Sequence, residues 1–175
     1  MISLFGFPRG GSPAGPGAAR PPGTWVTVDG IVHFLSEQAG RHLLVLAEHF
    51  ELVWCSGWEE KANEYLPRAL GIPGPLPYLT FGPDHAPPSA SRAPTAGDQS
   101  LPAGGVRRHW KLDAIDAWAG QDRPLAWLDD AFDDSSHLWA ASRPGPTLLV
   151  ATEPATGLTD RERDALLGWV GVATG

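Results

Sequence analysis

The chain has 175 residues, of which 42% are hydrophobic, and this is enough for one domain with a buried core. Its formal net charge of -7 argues against a broad surface for nucleic acid or anionic lipid, because such surfaces need clustered Lys and Arg. A single cysteine excludes an intrachain disulfide, and no apolar run approaches the ~20 residues of a membrane span. The sequence therefore predicts a cytoplasmic protein without membrane association, one domain over residues 1–175, that binds a small molecule. It offers no sign of a protein partner.

Two segments, residues 8–23 and residues 82–106, are rich in Pro, Gly, Ser and Ala and lack any apolar period. Such segments cannot bury enough apolar surface to order themselves, so both are predicted as flexible loops. The second is long for a connection within a domain, and we interpret it as an insertion between structural units.

The first predicted element is a β-hairpin near residues 24–34. Asp29-Gly30 lies between two runs of β-branched and aromatic residues, and this dipeptide favours a type I′ turn. Ser36 then supplies the N-cap of a helix. The apolar residues of this helix recur at a helical period: Ala39, Leu43, Leu46, Ala47 and Phe50.

Strand and helix patterns alternate along the rest of the chain. The predicted elements, in order, are a strand at 51–55, a helix at 58–70, a strand at 76–81, a helix at 111–119, a strand at 124–128, a helix at 133–142, a strand at 147–151 and a last helix opened by the capping box Thr159-Asp-Arg-Glu162. This alternation is typical of the α/β class, with a Rossmann-like parallel sheet flanked by helices.

Adjacent carboxylates, Asp129 and Asp130, follow the predicted strand at 124–128. Ligands of parallel sheets bind beyond the carboxyl ends of the strands, which is where these residues fall. Neighbouring carboxylates repel each other unless a cation offsets their charge, and Mg²⁺ prefers oxygen ligands. We interpret the pair as a Mg²⁺ site. Helix capping by Asp130 or Asp133 is the alternative, and both can hold together.

Ser56 ends the predicted strand at 51–55, where its hydroxyl could donate to a phosphoryl oxygen. Gly57 would let a backbone amide approach the same anion, and Trp58 is the tryptophan that we place beside a substrate. A serine that merely caps the helix starting near Trp58 accounts for Ser56 equally well when it is considered alone.

Lys111 is one of very few lysines and opens a helix, where its charge gains nothing from the helix dipole. This placement suits a lysine directed at an anion. An ordinary solvated surface lysine is the alternative.

Four segments of the chain are, in order, 52–63, 109–111, 123–130 and 146–159. Together they resemble the haloacid dehalogenase-like (HAD) phosphohydrolases, specifically a bacterial, uncharacterised group related to HAD domains of RNA-repair proteins. The resemblance covers nearly the whole chain after about residue 24 and implies a HAD-like fold in which the hairpin is a flap over the site.

The resemblance also implies a reaction, the Mg²⁺-dependent hydrolysis of a phosphate monoester through an aspartyl-phosphate. Ser56 would bind the phosphoryl group of a small phosphorylated molecule, and Lys111 would offset its charge. Asp129 and Asp130 would hold Mg²⁺.

The nucleophile of that family lies in an Asp-x-Asp-Gly motif at the end of a central first strand, and this sequence contains no such motif. Thr27-Val-Asp29-Gly30 has threonine at the nucleophile position, and the hairpin accounts for the same residues. Because family members continue from Asp-x-Asp-Gly-Val into a segment like Ile2–Phe7, we expect Met1 to stand at a GTG valine codon and the upstream DNA to encode the motif. Otherwise the central strand is missing or improvised from residues 2–7.

The expected function is therefore that of a HAD-like phosphohydrolase that does not turn over as given. Two alternatives remain open at this point. One is a noncatalytic phosphate-binding or interaction domain. The other is a polynucleotide phosphatase linked to RNA repair, which the acidic charge disfavours.

Overall fold

The computed structural model describes residues 22–28, 31–82, 108–154 and 156–173. Within these ranges the protein is a mixed α/β structure that includes a two-stranded parallel sheet. Several sequence predictions lie outside the described residues: the turn at Asp29-Gly30, the strand considered for residues 2–7, and most of both flexible loops.

The predicted hairpin is confirmed. Strand β1 (Gly23–Val28) pairs antiparallel with β2 (Ile31–Ser36), in a register that places Val26 opposite His33. Val28, His33 and Leu35 are buried, so the hairpin lays one face on the rest of the molecule. Successive side chains of a strand point to opposite faces, so residues two apart, such as His33 and Leu35, lie on the same buried face.

The helix predicted after the hairpin is also confirmed as α1 (Glu37–Ala47), and the Oγ of Ser36 accepts a hydrogen bond from the amide of Ala39 at 3.5 Å. A 3-10 helix (Glu59–Lys61) then leads into α2 (Ala62–Leu70), which ends at Gly71 in the left-handed region with φ 68°. Glycine suits that position because it lacks the Cβ that penalises positive φ.

The later elements follow the predicted order closely. They are α3 (Leu112–Ala119), β3 (Leu125–Asp129), α4 (Asp134–Ser142), β4 (Thr147–Ala151) and α5 (Asp160–Ala173). Asp133 caps α4 by accepting from the amide of Ser136 at 2.9 Å. At the start of α5, Glu162 accepts from the amide of Thr159 at 2.9 Å and also from its hydroxyl, so one of the two bonds of the predicted capping box is present.

The strands predicted at 51–55 and 76–81 are reduced to one isolated parallel bridge between Trp54 and Tyr78. Strands β3 and β4 pair in parallel from Leu125 opposite Thr147 to Asp129 opposite Ala151. No strand pairing joins the 51–55 segment to β3 within the described ranges. The structure thus shows an α/β architecture with short parallel pairs and does not show a full Rossmann-like sheet.

The segment 52–55 and strand β3 nevertheless lie in one layer, because alternate residues of each enter the same two cores. One core takes Leu52, Trp54, Ala126 and Leu128 together with side chains of α1, α2 and α5. The other takes Val53, Cys55, Leu125 and Trp127 together with side chains of α3 and α4. Helices therefore cover both faces of the strand layer, as the alternating pattern predicted.

None of the helices in the described ranges combines the length and the apolar character that crossing a membrane requires.

Gly40 of α1 sits against the end of α2, and a Cβ added there would lie 2.0 Å from the backbone oxygen of Leu70. We predict that Gly40→Ala destabilises the protein by about 3 kcal/mol, because two packed backbones would have to separate. Urea denaturation measures the change. Gly168→Ala in α5 is the matched control, since nothing lies within 4 Å of its added Cβ, and it should gain about 0.5 kcal/mol from helix propensity. Equal effects of the two substitutions would contradict the packing described here.

Candidate functional site

A buried ion pair forms the centre of the candidate site. The Nζ of Lys111 donates to Oδ2 of Asp129 at 2.6 Å, and both side chains are 1% exposed. Lys111 immediately precedes α3, whose buried Leu112 and Ile115 anchor it, and Asp129 ends β3. The sequence placed an anion in front of Lys111, and in this structure that anion is Asp129.

Asp129 receives further donors that satisfy its buried charge. The indole Nε1 of Trp127 donates to Oδ2 at 3.0 Å, since residues two apart in a strand project from the same face. The amides of Asp130 and Ala131 donate to Oδ1 at 3.0 and 3.3 Å. A buried carboxylate is tolerated when it is paired and hydrogen-bonded in this way.

Asp130 is the more exposed carboxylate of the predicted metal pair. Burial raises the pKa of Asp130, and the negative charge of Asp129 raises it further. A cation beside Asp130 would reverse this by favouring the ionised carboxylate. The two aspartates therefore differ. Asp129 accepts hydrogen bonds from protein donors, whereas the ionised form of Asp130 is disfavoured, and a bound cation would favour it.

The fit of this pair to Mg²⁺ follows from its chemistry. Mg²⁺ keeps several waters and needs only one or two carboxylates plus substrate oxygens. Within the described part of the chain, no cluster of three or more His, Cys, Asp or Glu side chains is arranged around a common metal position. Asp130 can thus offer one carboxylate to a sparsely ligated Mg²⁺, whereas both oxygens of Asp129 already accept hydrogen bonds from protein donors.

Ser56 begins the segment that we call the Ser56 loop, residues 56–59. Its buried Oγ accepts from the amide of Trp58 at 3.2 Å, which is a local serine turn. The 3-10 helix that follows has Trp58 as its N-cap and no side-chain cap hydrogen bond, so Ser56 does not cap it. A hydroxyl that accepts one bond still carries its own proton to donate. Gly57 is exposed and Trp58 is half-buried.

Glu59 connects the Ser56 loop to the lysine. Its backbone has φ 49°, a left-handed conformation unusual for a residue with a Cβ, and its Oε1 accepts from the amide of Phe81 at 2.7 Å. The Phe81 ring packs 4.6 Å from the Trp110 ring, and Nζ of Lys111 lies 5.0 Å from the centre of Trp110. The sequence did not predict this contact between Phe81 and Trp110, two residues that flank the long insertion.

Cys55 ends the segment that packs beside β3, because it lies in the same core cluster as Leu125 and Trp127. Burial raises the pKa of its thiol to about 12. A thiol with that pKa stays protonated at neutral pH and is a poor nucleophile. Cys55 is therefore a small buried residue of the core.

His109 was not singled out by the sequence as part of this edge. Its Nδ1 accepts from the amide of Lys111 at 3.3 Å, and its ring lies 5.3 Å from Trp127. Burial lowers the pKa of His109, which favours the neutral imidazole around pH 7. Its contacts support the backbone at Lys111.

Comparison with known proteins leaves the chain unplaced: no protein-family model, curated protein or solved structure matches it. The resemblance to HAD-like proteins therefore rests on the sequence motifs alone.

Replacing Lys111 tests the ion pair. We predict that Lys111→Met costs about 3–5 kcal/mol, because it leaves the Asp129 charge buried without its partner. The double variant with Asp129→Leu should recover much of that loss, and urea denaturation measures both. Lys61→Met is the control, since Lys61 is exposed and its replacement should change stability by under about 0.5 kcal/mol. Similar stabilities for the two single variants would be inconsistent with a buried pair.

Replacing Asp130 tests the raised pKa. A carboxyl whose pKa is higher in the folded than in the unfolded state stabilises the fold at low pH, and this stabilisation is lost as the pH rises through the folded pKa. Asp130→Asn should therefore be more stable than the parent at pH 7, with a smaller difference at pH 4. Denaturation at both pH values measures this, with exposed Asp134→Asn as control. A less stable Asp130→Asn protein at pH 7 would contradict the direction of the shift.

Proposed function

We propose that this chain carries a Mg²⁺-dependent phosphate-binding site of the HAD-like phosphohydrolase type. The observation that carries the proposal is the buried Lys111–Asp129 pair, with half-buried Asp130 beside it at the carboxyl end of β3. Carboxylates whose pKa values are displaced by burial and by a charged neighbour are typical of functional sites. The carboxyl ends of parallel strands are also where ligands of such folds bind.

Each group has a role that its chemistry supports. The ammonium of Lys111 offsets the charge of a phosphoryl oxygen, and the hydroxyl of Ser56 donates to another. Asp130, with Asp129 behind it, holds Mg²⁺, which when bound neutralises phosphate charge. Gly57 and Trp58 line the approach, because Gly57 adds no side chain and Trp58 offers an apolar ring.

We further propose that the chain binds phosphate without hydrolysing it. Hydrolysis through an aspartyl-phosphate needs a carboxylate that attacks phosphorus while the alkoxide leaves, followed by attack of water. The sequence has no Asp-x-Asp-Gly to supply that carboxylate, and the oxygens of Asp129 are committed to Lys111, Trp127 and backbone amides. The lack of the motif equally favours the second candidate, a noncatalytic phosphate-binding or interaction domain.

Thermal unfolding with Mg²⁺ and inorganic phosphate tests the binding site. We expect the two together to raise the Tm of the parent protein more than either alone, because a ligand that binds only the folded state stabilises it. Asp130→Asn should lose most of this increase, whereas Asp134→Asn should keep it. An unchanged Tm of the parent protein at millimolar Mg²⁺ and phosphate, or an equal increase in both variants, would refute the proposed site.

An assay with p-nitrophenyl phosphate and Mg²⁺ tests the absence of turnover. We expect no release of nitrophenol above the buffer rate. Sustained release that needs Mg²⁺ and disappears in Asp130→Asn would show that the chain is a complete phosphohydrolase with a nucleophile other than the family's.

A further inference from the structure

His33 presents a buried polar atom that the fold does not explain. It lies on β2 with 8% of its surface exposed, and its buried Nε2 has no hydrogen-bond partner among the described residues. Leaving such an atom unsatisfied costs free energy, and buried polar groups in native proteins are nearly always paired. An unpaired atom of this kind is therefore a candidate for contact with a ligand.

The position of His33 links it to the candidate site. Its ring meets the Trp58 ring edge-on, with ring centres 4.6 Å apart and an interplanar angle of 84°. Trp58 in turn donates its amide to the Oγ of Ser56. The hairpin thus places the His33 ring directly against Trp58 of the Ser56 loop.

A second buried histidine provides a contrast. His42 of α1 also has an Nε2 without a hydrogen bond, but it lies 3.5 Å from Oδ1 of Asp160, in a cluster that includes Arg163. That polar cluster accounts for His42. His33 has no carboxylate within ion-pairing distance among the described residues, and its ring contact is with Trp58.

We propose that His33 is a ligand-contacting residue whose Nε2 hydrogen-bonds a phosphoryl oxygen of the bound molecule. This inference rests on the proposed function and deepens it, since it assigns the hairpin a direct contact with the ligand. Burial lowers the pKa of His33, so the ring is neutral near pH 7 and can present an N–H to the anion without adding a charge.

Paired substitutions test the contact by isothermal titration of inorganic phosphate in the presence of Mg²⁺. His33→Phe keeps a ring against Trp58 but removes the nitrogens, and we expect about tenfold weaker affinity from one lost hydrogen bond. Its stability should not fall, because an unsatisfied buried polar atom is removed. His33→Gln, which places an amide near the position of Nε2, should restore part of the affinity. His42→Phe should bind like the parent protein.

The outcomes separate this inference from the proposed function. If the parent protein does not bind Mg²⁺ and phosphate, both fail. If it binds, Asp130→Asn does not, and His33→Phe binds with the parent affinity, then the His33 inference fails and the proposed function stands. Should His33→Phe not fold, the ring proton resonances of His33 in the parent protein decide: they should shift when Mg²⁺ and phosphate are added, and no shift overturns the inference.

Discussion

The structure depends on one charge pair that has been taken out of water. Moving the ammonium of Lys111 and the carboxylate of Asp129 into the interior costs several kcal/mol each, and their attraction repays this only with good geometry and further donors. Trp127 and the amides of Asp130 and Ala131 supply those donors. The pair therefore fixes the start of α3 against the end of β3, and the positions of both elements follow from it.

The same arrangement explains why the ionised form of Asp130 is disfavoured. Asp129 accepts from Lys111, Trp127 and two backbone amides, and Asp130 places a second carboxyl group next to it, whose pKa burial and the charge of Asp129 raise. A fold selected only for stability would have an uncharged residue at position 130. Local departures of this kind are expected at functional sites, where some stability is given up for ligand binding. The strained backbone of Glu59 belongs to the same edge.

Local signals in the sequence predicted most of the elements. The hairpin, the Ser36 cap and the Thr159–Glu162 capping box each depend on residues within a few positions of one another, and all three are present. The pairing of the 51–55 segment depends on its neighbours in space, and an apolar run does not specify those. The sequence could therefore suggest a sheet but not how many hydrogen bonds each strand would make.

The candidate site was likewise predicted only in part. Residue types and their positions at predicted element ends indicated Lys111, Asp129 and Asp130, but no local signal predicted that Lys111 and Asp129 pair with each other. The contacts of His33 with Trp58 and of Trp110 with Phe81 could not be predicted, because each joins parts of the chain that are far apart in sequence. Aromatic residues are common in cores, so their presence alone does not mark a site.

The contact between Phe81 and Trp110 has a consequence for how the chain can be altered. Because the two rings touch, they hold together two segments that are far apart in sequence. Phe81 also donates its amide to Glu59, and Trp110 immediately precedes Lys111. Removing either ring would therefore loosen the Ser56 loop and the lysine together.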